Sequence, residues 1–101
     1  SGKRIIFELV SAEDYPVPTE VDRCYFFNPF SVEILRKVLA RIYESYYENP
    51  REILLFLYYP SEEYVSCLMT EEQLLFYDEI STEDLFEGKN AREKILIFSV
   101  E

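Results

Sequence analysis

The residues best placed to do chemistry are Asn28, Pro29 and Phe30, in the stretch Arg23-Cys24-Tyr25-Phe26-Phe27-Asn28-Pro29-Phe30-Ser31. An apolar run stops at Asn28-Pro29, and an amphipathic helix pattern begins at once. A buried parallel strand ends in this way when its tip carries a site, because ligands of open α/β sheets gather beyond the carboxyl ends of the strands. The same residues also have a purely structural reading. Asn28 can bond local backbone in a strand-terminating turn, and Phe30 is spaced to pack on Leu35 as a hydrophobic staple. The usual catalytic sets are missing. There is no histidine, and Cys24 and Cys67 lie far apart, so the spacing offers neither a nucleophile–base pair nor a metal-ligand cluster. The two glycines, Gly2 and Gly88, form no glycine-rich turn able to cradle a cofactor.

The elements that must position these residues are legible from periodicity. Arg4–Val10 reads as a strand bounded by polar residues. Pro16 and Pro18 then hold an extended loop. Val21–Phe27 reads as a second strand, apolar on both faces and so expected to be covered on both sides. Ser31 to Asn49 is the clearest helix. Ser31 caps it, Glu33 suits its positive end, and Val32, Leu35, Val38, Leu39, Ile42, Tyr43 and Tyr46 form one stripe. Glu33, Lys37, Arg41, Glu44 and Glu48 fall opposite, with Ile34 an exception on the polar side. Pro50 stops the helix.

Glu52–Tyr58 is a third strand, ended by Tyr59-Pro60. Ser61 caps a shorter helix to about Met69, and Thr70-Glu71-Glu72-Gln73 has a capping-box pattern that competes with a fourth strand, Leu74–Ile80. Ser81–Glu87 reads as a helical turn closed by Gly88, and Lys94–Val100 as the final strand. Strands alternating with helices predict a largely parallel sheet. The last two strands are joined too tightly for a crossover helix and are expected to be antiparallel neighbours.

The chain has 101 residues, 49% of them apolar, enough for one domain with a core, taken as 3–101 because Ser1-Gly2 reads as a cloning remnant. Ten Lys and Arg against 20 Asp and Glu give a net charge of -10, which argues against nucleic-acid binding by this chain alone. The acidic balance suits a basic partner, but the sequence localises it to no patch. No signal peptide or bilayer-spanning apolar run is visible, and cytoplasmic residence with reduced thiols is the expectation.

The order of elements, with F-F-N-P-F-S before the long helix, Pro50-Arg51 before a strand ending Y-Y-P, and the tail Leu85 to Phe98, resembles the carboxyl half of a class I S-adenosylmethionine-dependent methyltransferase of small bacterial type. The resemblance implies a partial Rossmann-like sheet of about five strands, mostly parallel with an antiparallel carboxyl-terminal pair, carrying one long and one short helix. The family's sheet has seven strands, and this chain corresponds to the third through the seventh. The cofactor in the intact family is S-adenosylmethionine, held partly by a glycine-rich turn after the first strand. No such turn occurs here, so the chain alone is expected to bind no cofactor and to be inactive.

The family's adenine-contacting acid after the third strand has its nearest counterpart at Ser11, within Ser11-Ala12-Glu13, where Glu13 is close enough to substitute. Asn28-Pro29-Phe30 is similar to the Asn-Pro-Pro-aromatic motif of methyltransferases that act on amide or exocyclic amine nitrogen, with the second proline missing. In that motif the Asn side-chain carbonyl and a backbone carbonyl orient the target NH2 for in-line attack, and the aromatic ring stacks on the substrate. The methyl acceptor here is not specified. The competing expectation is a non-catalytic interaction module built on the same half-sheet.

The resemblance also bears on partners. In the family, the strand matching Val21–Phe27 has the first strand as a neighbour. Without it an apolar edge is left open, and such edges recruit another strand. Either Arg4–Val10 takes the vacant place, or the chain forms a homodimer or pairs with the missing amino-terminal half. A homodimer in contact near Arg4–Val10 or Val21–Phe27 is the expectation.

Overall fold

A computed structural model describes residues 3–7, 16–27, 31–81 and 94–101. The elements are β1 (Lys3–Phe7), β2 (Val21–Phe26), α1 (Val32–Glu48), β3 (Leu54–Tyr58), α2 (Glu62–Met69), β4 (Leu74–Ser81) and β5 (Lys94–Val100). The strands form one sheet in the order β1-β2-β3-β5-β4. Pairing is parallel between β1 and β2 and between β2 and β3, and antiparallel on both sides of β5. The structure is therefore an α/β fold with a mixed sheet and two helices, not the mostly parallel Rossmann-like sheet expected. The reason is the last strand. It returns between β3 and β4, so both antiparallel ladders are its own, and β3 and β4 never pair.

Both helices begin as their sequences require. Ser31 Oγ accepts from the Ile34 amide at 3.3 Å, and Ser61 Oγ from the Tyr64 amide at 3.2 Å. Acids fill the first turns: Glu33 in α1, Glu62 and Glu63 in α2. The capping-box pattern at Thr70 starts no helix. Thr70 instead closes α2, its hydroxyl donating to Cys67 O at 2.8 Å, and the Glu71 amide bonds back to Leu68 O.

The core lies on one face of the sheet. Leu35, Val38, Leu39 and Ile42 of α1, with Tyr64, Cys67 and Leu68 of α2, bury Cys24 and Phe26 of β2, Leu55 and Leu57 of β3, and Leu96, Phe98 and Val100 of β5. Ile34 packs against this cluster from the polar side of α1. On the other face the strands show Tyr25, Phe56 and Tyr58, all half-buried, and no described helix lies over them. Tyr25 stacks on Phe56 at 4.8 Å between ring centroids, and Phe27 on Tyr58 at 4.5 Å. Among the described residues two helices reach one face, and cross-strand aromatic pairs lie on the other.

Strand β1 runs beside β2 with Ile5 opposite Cys24 and Phe7 opposite Phe26. The edge of β2 is closed within the chain, which removes the argument that placed a dimer contact there. The expected helical turn at Ser81–Glu87 lies outside the described residues, apart from Ser81 at the end of β4. Among the described residues no helix is long and apolar enough to cross a membrane.

Candidate functional site

The expected site residues Asn28, Pro29 and Phe30, and Ser11, Ala12 and Glu13, lie outside the described residues. What the structure places is their frame. The chain leaves β2 at Phe27 and enters α1 at its cap Ser31. Beside it, β3 ends at Tyr58. The two strands are parallel neighbours with Phe26 opposite Leu57, so their carboxyl ends lie together. The stacked rings of Phe27 and Tyr58 mark that meeting point.

Tyr59 follows β3 with φ 51°, the left-handed region that β-branched and bulky residues avoid. Its amide is pinned to Lys94 O at 2.9 Å and its ring is half-exposed. Pro60 then turns the chain to the Ser61 cap. Strain of this kind concentrates at ligand clamps and active sites. Tyr59→Gly is expected to leave stability within about 1 kcal/mol of the parent despite losing a ring, because glycine adopts this φ freely. Tyr59→Val, whose branched Cβ resists the left-handed region, costs about 1–2 kcal/mol. Urea unfolding measures both, and equal losses for the two variants would contradict the strain.

A cleft of about 870 Å³ opens at this end of the sheet, between Pro60 and Ser61 after β3, Val65 and Met69 of α2, and Lys94 at the start of β5. It has the volume of a small-molecule site. Sequence reasoning missed Lys94 as part of this end. Its place follows from β5 running antiparallel to β3, which brings the first residue of β5 to the strand tip.

Opposite the site, the amino-terminal ends are locked by Arg51. Its guanidinium donates to Val21 O at 2.8 Å, Ser45 O at 2.9 Å, Asn49 O at 2.8 Å, Pro18 O at 3.3 Å and Ser45 Oγ at 2.8 Å. Buried Ser45 also donates to Pro18 O at 3.2 Å, and Asn49 Nδ2 to Thr19 O at 2.9 Å. Helix α1 has no basic residue in its last turn, and Arg51 supplies the missing positive charge from outside.

The titratable groups with displaced pKa values belong to the core rather than to a reactive centre. Burial pushes the Cys24 thiol up to about 12, with Arg51 lowering and Asp22 raising it by smaller amounts. A thiol so buried is a packing group, not a nucleophile. Burial, followed by its bond to Glu71, raises Tyr43; the hydroxyl donates to Glu71 Oε1 at 2.7 Å. Glu71 therefore serves as a tertiary acceptor, tying the segment after α2 to α1. Cys24 and Cys67 are both free and buried. Among the described residues no three His, Cys, Asp or Glu side chains gather as a metal site.

The helices that follow β2 and β3 carry acids in their first turns, Glu33 in α1 and Glu62 and Glu63 in α2. The serine oxygens there are engaged by the helix amides. Comparison of the chain with family models, curated proteins and solved structures finds no match.

Proposed function

We propose that this chain is the acceptor-binding, carboxyl half of an S-adenosylmethionine-dependent methyltransferase domain, incomplete as a catalyst by itself. The observation that carries the reading is the meeting of the carboxyl ends of β2 and β3, where Phe27 stacks on Tyr58 at 4.5 Å. This is the end of a parallel pair at which α/β sheets bind ligands. The Asn28-Pro29-Phe30 segment follows Phe27 directly in sequence, and the strained Tyr59 follows Tyr58. The described residues supply no cofactor cradle and take no part in activating the methyl group. Their part is to orient a planar acceptor at the strand tips.

In the complete domain the family's first strand stands beside β2. Here β1 holds that place, and on this reading it moves outward when the first strand enters. The same pairing favours a second reading: a non-catalytic interaction module in which β1 and β2 are permanent neighbours. Extending the chain upstream through its own reading frame and titrating it with S-adenosylmethionine separates the two. Saturable binding supports the methyltransferase half, and silence supports the module. A cytoplasmic location belongs to the same proposal, which leaves the methyl acceptor open.

A further inference from the structure

The row of β5 that faces the helices reads Lys94, Leu96, Phe98, Val100, because alternate residues of a strand share a face. Leu96, Phe98 and Val100 are buried in the core cluster. Lys94 continues the same row past the edge of that core and is itself half-buried. Its carbonyl oxygen accepts the Tyr59 amide at 2.9 Å, which fixes the backbone here against the tip of β3. Its side chain enters no ion pair and no hydrogen bond with the described residues. A cation partly withdrawn from water with no anion beside it is costly, and an anionic ligand relieves that cost.

The cleft of about 870 Å³ that Lys94 lines has walls of two kinds. Helix α2 gives it two rows at four-residue spacing. Val65 and Met69 form the apolar row, which Pro60 extends. Met69 is 63% exposed, a flexible apolar surface that the hydrocarbon part of a ligand would cover. Glu62, Ser66 and Thr70 form the polar row. Ser61 Oγ accepts the Tyr64 amide and so keeps its own proton for a ligand oxygen. Glu62 sets the charge of that ligand. It is exposed, makes no ion pair with Lys94, and repels a second negative charge, as does the net charge of -10.

We propose that this cleft binds a small monocarboxylate with an apolar body, its carboxylate on Lys94 and its hydrocarbon on Pro60, Val65 and Met69. The cleft lies at the same end of the sheet as the tips of β2 and β3, but the proposal stands on these residues alone and needs no methyl transfer.

The test titrates the isotope-labelled chain with phenylacetate and follows the backbone amides by NMR. Saturation is expected with a dissociation constant of about 1 mM or tighter, and the shifted amides should be those of α2 and the start of β5. Phenylacetamide, of the same shape without the charge, should bind about tenfold more weakly. Phenyl phosphate, with a second negative charge, should bind about threefold more weakly. Lys94→Met keeps the stem and loses the cation. It should weaken phenylacetate about tenfold and leave phenylacetamide unchanged within about twofold. Glu62→Gln should spare phenylacetate and strengthen phenyl phosphate about threefold. A lysine that merely covers the end of the core would leave the charged and neutral probes equal, and that result would overturn the proposal. So would the absence of saturation, shifts centred on Tyr25 and Phe56 across the sheet, or phenylacetate binding unmoved by Lys94→Met. The comparison of probes uses the parent chain, so it decides the matter even if a variant fails to fold. None of these outcomes bears on binding of S-adenosylmethionine by the chain extended upstream.

Discussion

Arg51→Ala is expected to lower the stability of the chain by about 3–4 kcal/mol. The guanidinium joins five acceptors from three parts of the fold: the loop at Pro18, the start of β2 at Val21, and the end of α1 at Ser45 and Asn49. Truncation strands those acceptors, and the buried Ser45 hydroxyl loses its donor. A domain of this size holds about 5–15 kcal/mol in total, so the loss is a large fraction of it. The melting temperature should fall by about 15–25 °C. Arg51→Lys should recover only a minor part, because an ammonium cannot serve the planar fork of acceptors. Urea unfolding with unchanged slope measures both. A loss below about 1 kcal/mol for Arg51→Ala would show that water replaces these bonds freely and that the clamp is not structural.

The second large effect concerns the proposed site. In the chain extended upstream, Asn28→Ala should lower turnover by about 10²-fold, the scale of losing one group that orients a reacting atom. The fold should stand, with a stability change of under about 1 kcal/mol, because the buried cluster that holds it is supplied by the strands and helices on either side of this segment. The assay is transfer of labelled methyl to an amide- or amine-bearing acceptor pool, with urea unfolding in parallel. Unchanged turnover returns Asn28 to the role of a strand-ending turn residue. Lowered turnover accompanied by an equal collapse of stability does the same.

Much of the local structure is legible in the sequence because each signal is local and chemical. Ser31 and Ser61 cap the helices for which they are spaced, and Leu35, Val38, Leu39 and Ile42 line the buried face of α1. The final strand, Lys94–Val100, matches its apolar run residue for residue. What is not legible is pairing. A run such as K-I-L-I-F-S-V specifies a strand and says nothing about its neighbours, so the insertion of β5 between β3 and β4 could not be read. The capping-box pattern at Thr70 misleads for a related reason. Glu71 has a better use, accepting the Tyr43 hydroxyl across 28 residues of sequence. Ser45 looks like a polar interruption of the α1 stripe, and only the position of Arg51 explains its burial. At the site, sequence reasoning marked the strand tips but not Lys94, which reaches them through the antiparallel return of β5.

The place beside β2 shows the same division between local signal and pairing. Two ways of closing an apolar edge were open, and Arg4–Val10 was one of them. The structure takes it, over Lys3–Phe7. Parallel pairing of β1 and β2 is supported by their register alone, with no crossover helix among the described residues between them. Such pairing is slightly weaker per residue than antiparallel pairing. Strand β1 also stands at the edge of the described sheet, so an entering strand would have to break one ladder only.

One titration tests the central claim most directly. S-adenosylmethionine is added calorimetrically, up to millimolar concentration, to the 101-residue chain and to the chain extended upstream through its own reading frame. The methyltransferase reading predicts saturable binding by the extended chain, with a dissociation constant of about 1–100 μM, and no heat of binding from the shorter one. Saturable binding by the shorter chain, or none by the extended chain, would contradict the account.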